Sequence, residues 1–204
     1  KFPRQLEIPG GPDMPPGQYK AVVLHGALKD SSNFQISPDP RIVYDREKMA
    51  LREAKVADYL RLVRKGTQAF EQVRDAREMM DRYEKLLENV GDTLRDSLKK
   101  VGKPVRDSIR NLMEVYLDPE NQKGLEHLTQ QMVDRFYTVA GLVEPLYSPP
   151  GGNADLALRQ LDAEVRRTVT RINHFLENEW KTYRQRMEAA KVPLFLDFVP
   201  VKMD

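Results

Sequence analysis

The residues best suited to chemistry in this 204-residue chain are three histidines, His25, His127 and His174, with Glu177 and Glu179 just beyond the last. His174 and Glu177 are three apart and would share one face of a helix, the spacing of half a metal site. A di-metal bundle needs a Glu-x-x-His order on two helices, and the chain holds no such pair. The commoner role for an i,i+3 pair of this kind is a contact on a helix surface. There is no cysteine, so disulfides and thiolate sites are excluded and the redox compartment cannot be read. Glycoside chemistry needs two carboxyls about 5–10 Å apart beside a sugar cleft, and no spacing singles out such a pair. A Gly-rich phosphate loop and a Gly-x-Ser-x-Gly elbow are both missing. No residue is therefore assigned a catalytic, cofactor-binding or metal-binding role, and no cofactor is expected.

Two basic clusters, Arg61-Arg64-Lys65 and Arg166-Arg167-Arg171, could meet an anionic partner, but acids lie within a helical turn of both. They read as solvated faces. The 33 basic and 31 acidic residues are interspersed and leave a net charge of +2, which gives no broad field to attract nucleic acid or an anionic membrane. No apolar run approaches the roughly 20 residues needed to span a bilayer. The aromatics Phe70, Tyr83, Phe136, Tyr137, Phe175, Trp180 and Tyr183 fall at helical spacing and read as core.

These side chains must be positioned by helices. Val56, Tyr59, Val63, Phe70, Val73, Met80, Tyr83, Leu87 and Val90 recur in steps of three, four and seven, with charged residues between them. Asp45 is a plausible N-cap. The predicted helix of about 45 residues would be roughly 65 Å long, interrupted by no proline and weakened only at Gly66. Such a length requires neighbours that cover its stripe. A turn at Gly91, with Gly in the left-handed position and Asp92 as the next cap, leads into a second helix carrying Leu94, Leu98, Val101, Val105, Ile109, Leu112 and Tyr116. Pro104 lies inside it, in phase, at the cost of a kink. After the polar loop 118–124 a third helix carries Leu125, Leu128, Met132, Phe136, Val139 and Val143. After 148–152 a fourth carries Leu158, Leu161, Val165, Val169, Ile172, Leu176, Trp180, Tyr183 and Met187. Short connections predict a mainly α, up-down-up-down antiparallel bundle whose first and fourth helices are the longest.

Before the bundle, residues 1–16 are rich in Pro and Gly and read as an extended lead-in. Residues 18–24 and 31–36 read as the strands of a hairpin, joined by a loop over 25–30 and ended by Pro38 and Pro40. The organisation expected is thus a lead-in and hairpin over 1–43, a helical bundle over 44–192, and an apolar tail over 193–204 that packs back on the protein. The chain starts at Lys1 and shows no signal peptide, and it is read as cut from something longer.

Several strings carry a resemblance. They are Pro-Gly-Gly-Pro at 9–12, Pro-Pro-Gly-Gln-Tyr-Lys-Ala-Val-Val-Leu at 15–24, Lys-Asp-Ser-Ser at 29–32 and Asp-Pro-Arg at 39–41. Gln-Lys-Gly at 122–124, Trp-Lys-Thr-Tyr at 180–183 and Val-Pro-Leu-Phe at 192–195 extend it. Together they resemble the C-terminal region of large bacterial proteins with Asp-box, sortilin-like β-propellers, many from Bacteroidetes and often labelled glycosyl hydrolases. In that family a small β-sandwich follows the propeller and a helical bundle closes the chain. The resemblance implies that 1–43 is the remnant of such a sandwich, that the parent is secreted or periplasmic, and that the preceding sandwich and propeller are the partners of this bundle. No Asp-box (Ser-x-Asp-x-Gly-x-x-Trp) is present, so the hydrolase label transfers to no residue here.

Three functions follow as expectations. The first is a non-catalytic accessory domain of such a parent. The second is a free-standing helical oligomerisation or partner-binding module, with a homodimer formed through the hairpin edge. The third is a carbohydrate-active domain, which would need a polar pocket near His174, Glu177 and Trp180.

Overall fold

A computed structural model describes residues 12–118, 130–146 and 150–193. An antiparallel hairpin of β1 (Gly17–His25) and β2 (Leu28–Ile36) precedes four long helices, and the protein is a mainly α helical bundle. The helices are α1 (Arg46–Leu86), α2 (Asp92–Met113), α3 (Met132–Val143) and α4 (Gly152–Phe175). A π-helical turn, Leu176–Trp180, carries α4 directly into α5 (Lys181–Ala189), so the first and fourth helical stretches are the longest, as the periodicity predicts. The described residues form two compact units, one of 12–63, 134–146 and 150–163, the other of 64–118, 130–133 and 164–193. The expected lead-in over 1–11, the start of the third helix at Leu125 and Leu128, and the apolar tail over 194–204 lie outside the described residues.

In the first unit the hairpin pairs Tyr19 with Phe34 and Val23 with Asp30, and the Tyr19 and Phe34 rings stack with centroids 5.7 Å apart. The strands are longer than the sequence predicts and the loop is shorter. The register closes at His25 opposite Leu28, so only Gly26 and Ala27 form the turn. Gly26 has φ +59° while Ala27 stays out of the positive region, the pattern of a two-residue turn that puts glycine at its first central position. Pairing to the end of the strands then leaves no six-residue loop. The hairpin does not dock its faces on the helices, because every strand residue except Gly17, Tyr19 and Ile36 is exposed.

The chain leaves β2 through the Pro38–Pro40 segment, where Asp39 accepts bonds from the Arg41 backbone N–H and guanidinium. Asp45 then caps α1 as expected, its Oδ1 accepting from the backbone N–H groups of Glu47 and Lys48 at 3.1 Å. Those bonds, that from Lys48 foremost, hold the Asp45 carboxyl below the usual aspartate range. From Met49 on, α1 buries one stripe through Val56, Tyr59, Leu62 and Val63. In the same unit α3 buries Phe136, Val139, Ala140 and Val143, and α4 buries Ala154 and Leu161.

The second unit continues the α1 stripe through Gly66, Phe70, Val73, Ala76 and Met80 to Leu87, just past the helix end. Small residues on the stripe let other elements come close: the Tyr116 hydroxyl donates to the Gly66 carbonyl at 3.0 Å, and the Tyr116 and Phe70 rings lie 5.1 Å apart. Tyr83 donates its hydroxyl to the Met187 carbonyl at 2.7 Å, joining α1 to α5. The turn after α1 falls at Gly91, as expected, but by other chemistry. Gly91 has φ −59° and is itself the residue before α2, while Asp92 is already helical and pairs with Arg95 at 2.6 Å instead of capping. Helix α2 runs through Pro104. Leu94 is exposed and Val101 only half-buried; the close approach comes at Gly102, where an added Cβ would lie 3.0 Å from Met80 Cε and 3.5 Å from the Tyr183 ring. On α4, Val165 and Ile172 are buried, whereas Val169 is half-buried and Thr168 takes the inner position.

Phe136 in the first unit and Ile172 in the second are both fully buried. Phe136→Ala and Ile172→Ala should each lower the unfolding free energy by roughly 2–5 kcal/mol, against about 0.5 kcal/mol or less for the exposed Leu156→Ala. Urea titrations of the three variants check this, and equal midpoints would overturn the assignment of the stripes.

Candidate functional site

Of the residues singled out for chemistry, His174, Glu177 and Glu179 lie in the second unit, along the helix that faces α2. That helix carries a local fault in period. Phe175, Glu179, Tyr183 and Met187 follow at intervals of four, so an unbroken α-helix would draw a carboxylate into the buried stripe. The interval from Phe175 to Tyr183 is eight residues, nearly one more than two α turns of 3.6. The π turn absorbs that excess. No residue of Leu176–Trp180 is buried, while Phe175, Tyr183 and Met187 all are.

Glu179, kept out of the core, stands on the wall of a groove facing α2. Ser108 donates its hydroxyl to Glu179 Oε2 at 2.6 Å, and this bridge separates two hollows. One, about 410 Å³, is lined from α2 by Ser108, Asn111 and Leu112 and from the facing helix by Thr170, Arg171, His174, Phe175 and Glu179. The other, about 650 Å³, lies against Val101, Pro104 and Val105 and takes in Glu177, Glu179, Lys181, Tyr183 and Arg186. Asn178 is spent locally, its amide donating to the His174 carbonyl at 2.8 Å. The single polar pocket near His174, Glu177 and Trp180 that a carbohydrate-active reading requires is not formed: His174 lines one hollow and Glu177 the other. Trp180 lines neither hollow and packs on Tyr183 with centroids 5.6 Å apart.

The other candidates are dispersed. His25 ends β1 at the hairpin turn, and His127 lies outside the described residues. Among the described residues no three His, Asp or Glu side chains gather to hold a metal ion. Arg61 pairs with Asp58 at 3.0 Å and Arg167 with Glu164, the solvated faces that the sequence suggests. Of the aromatics read as core, Phe70, Phe136, Phe175 and Tyr183 are buried, Tyr83 and Trp180 are half-buried, and Tyr137 stands 49% exposed on α3.

The first unit holds a polar cluster that sequence reasoning missed. Arg52 is only 1% exposed, and its guanidinium donates to the Glu144 carbonyl at 3.0 Å and the Pro145 carbonyl at 3.2 Å, satisfying the open C-terminal end of α3. Its phase was the available signal: Met49, Arg52, Val56 and Tyr59 step by three, four and three along the buried stripe. The Tyr59 hydroxyl and Glu144 Oε1 are buried without a hydrogen-bond partner among the described residues. Burial pushes the Tyr59 phenol up, and the charges of Glu144 and Tyr137 add to that. Burial also raises the Glu144 carboxyl, opposed by the Arg52 guanidinium and assisted by Asp13.

Comparison of the chain with protein-family models, with curated proteins and with solved structures gives no match.

The raised Glu144 carboxyl has a consequence for stability. The folded protein holds this proton more tightly than the unfolded chain, so the group's contribution is complete below the ordinary glutamate pKa. It is lost as pH rises through the folded value. Glu144→Gln, which cannot ionise, should therefore gain stability relative to the native protein as pH rises from 4 to 7. Thermal melts across that range check it; a difference that stays constant with pH would show that Glu144 titrates normally.

Proposed function

We propose that this chain is a non-catalytic accessory domain that docks, through its hairpin, on the β-sandwich preceding it in a larger secreted or periplasmic propeller protein. The parent would be of the Asp-box, sortilin-like kind often labelled glycosyl hydrolases, as the strings at 9–24, 29–32 and 39–41 suggest. The observation that carries the reading is the hairpin. Val23, Leu24 and Leu28 are 68%, 70% and 73% exposed, and among the described residues neither outer edge of the two strands meets a third. A lone two-stranded hairpin is marginal in water, and unpaired N–H and C=O groups along an edge invite another strand. Strands of a preceding sandwich would supply both the missing ladder and a cover for the apolar tip.

The same edge also suits a second copy of the chain, which is the oligomerisation alternative. Two measurements separate them. Reading the coding sequence upstream of Lys1 should reveal Asp-box repeats followed by sandwich strands; a start codon and signal peptide directly before Lys1 would overturn the accessory-domain reading. The double variant Val23→Lys/Leu28→Lys should leave the melting of this chain within about 0.5 kcal/mol of native, since both side chains are exposed. In the longer chain it should speed amide exchange throughout β1. If instead the native chain sediments as a dimer and the double variant as a monomer, the hairpin serves self-association.

A further inference from the structure

We propose that the smaller hollow between α2 and α4 is a binding site for a small monoanionic hydroxy acid, its carboxylate on Arg171 and its hydroxyls on Glu179 and Asn111. The inference is independent of the hairpin reading, since it rests on other residues.

Charge and hydrogen-bonding capacity define the ligand. Arg61, Arg82, Arg95, Arg106 and Arg110 each pair with a carboxylate, as does Arg167. Arg171 has no such partner among the described residues, and it lines a hollow of about 410 Å³, a volume suited to a small molecule. A guanidinium offers a planar fork of donors that matches a carboxylate. His174 stands three residues on, on the same face, and Asn111 faces both from α2. Neither His174 nor Asn111 spends its side chain on a protein hydrogen bond among the described residues. The buried Leu112 and Phe175 supply an apolar floor.

Glu179 decides what else the ligand must carry. Ser108 donates to one of its oxygens at 2.6 Å and leaves the other free to accept from a ligand. A ligand whose hydroxyls reach this oxygen can donate to it. The same negative charge opposes a dianion, so inorganic phosphate is disfavoured. A neutral sugar would satisfy Glu179 but leave the guanidinium covered without a counter-charge. A monoanion with hydroxyls meets both demands. Glu179 lies in the π turn, unburied and on the wall of the hollow.

The test is a titration of the isotope-labelled whole chain with galacturonate and gluconate, followed by backbone NMR. Shifts should concentrate in 108–112 and 170–179, be absent with galactose, and be much weaker with acetate or phosphate. Arg171→Met should lose about tenfold or more in affinity, the cost of one charge-assisted bond. Arg82→Met, at an ion pair away from the hollow, should bind as the native chain does. Arg171 is exposed, so the variant should retain the native spectrum outside the site. Absence of shifts with both hydroxy acids at tens of millimolar would overturn the proposal. So would an equal response to galactose, or undiminished binding by a folded Arg171→Met.

Discussion

The structure depends on one uninterrupted buried stripe along α1. At 1.5 Å per residue, its 41 residues extend about 60 Å, and from Met49 to Met80 a buried residue recurs every three or four positions. An isolated helix of this kind would expose that stripe to water, and its net propensity could not compensate. The other helices are there to cover it, and they do so as two units, to which α1 contributes 46–63 and 64–86 respectively. The stripe also carries small residues. Gly66 accepts the buried Tyr116 hydroxyl, and Ala69 and Ala76 lie to either side of Phe70 and Val73.

Two departures from the regular pattern involve charged residues, and the chain resolves them in opposite ways. Arg52 falls in phase with the stripe and is accepted into the core, because the end of α3 offers it two carbonyls that need donors. A long aliphatic stem and five N–H donors make this cheaper for arginine than for any other charged side chain. Glu179 also falls in phase, but no donor-rich cavity receives it. It lies unburied in the π turn, on a groove wall where Ser108 meets it. A buried arginine can be satisfied by backbone oxygens alone; a buried glutamate would need donors that a packed α-helix does not offer.

The hairpin follows a different rule. Its pairing is local, set by strand alternation and a two-residue turn, and it forms a ladder without help from the helices. Its faces and outer edges are exposed among the described residues. The apolar tip and the charged groove belong to different units.

Residue types and their periods were enough to establish the hairpin, the Asp45 cap, the helix break at Gly91 and the helices with the larger part of their buried positions. Each of these depends on neighbours within one or two turns, where the 3.6-residue and two-residue periods act directly. The resemblance in the punctuation strings also came from sequence alone. Tertiary structure decided the rest. Thr168 replaces Val169 inside, and Gly102 marks the close approach of Met80 and Tyr183 to α2, because these depend on what another helix presents. The groove was not legible for the same reason. His174 and Glu179 could be named as candidates, but Ser108 and Asn111 stand more than 60 positions earlier, and only packing brings α2 against the π turn. Periodicity reports which face of a helix is buried; it carries no information about which polar residues on two separate helices will look at each other across a gap.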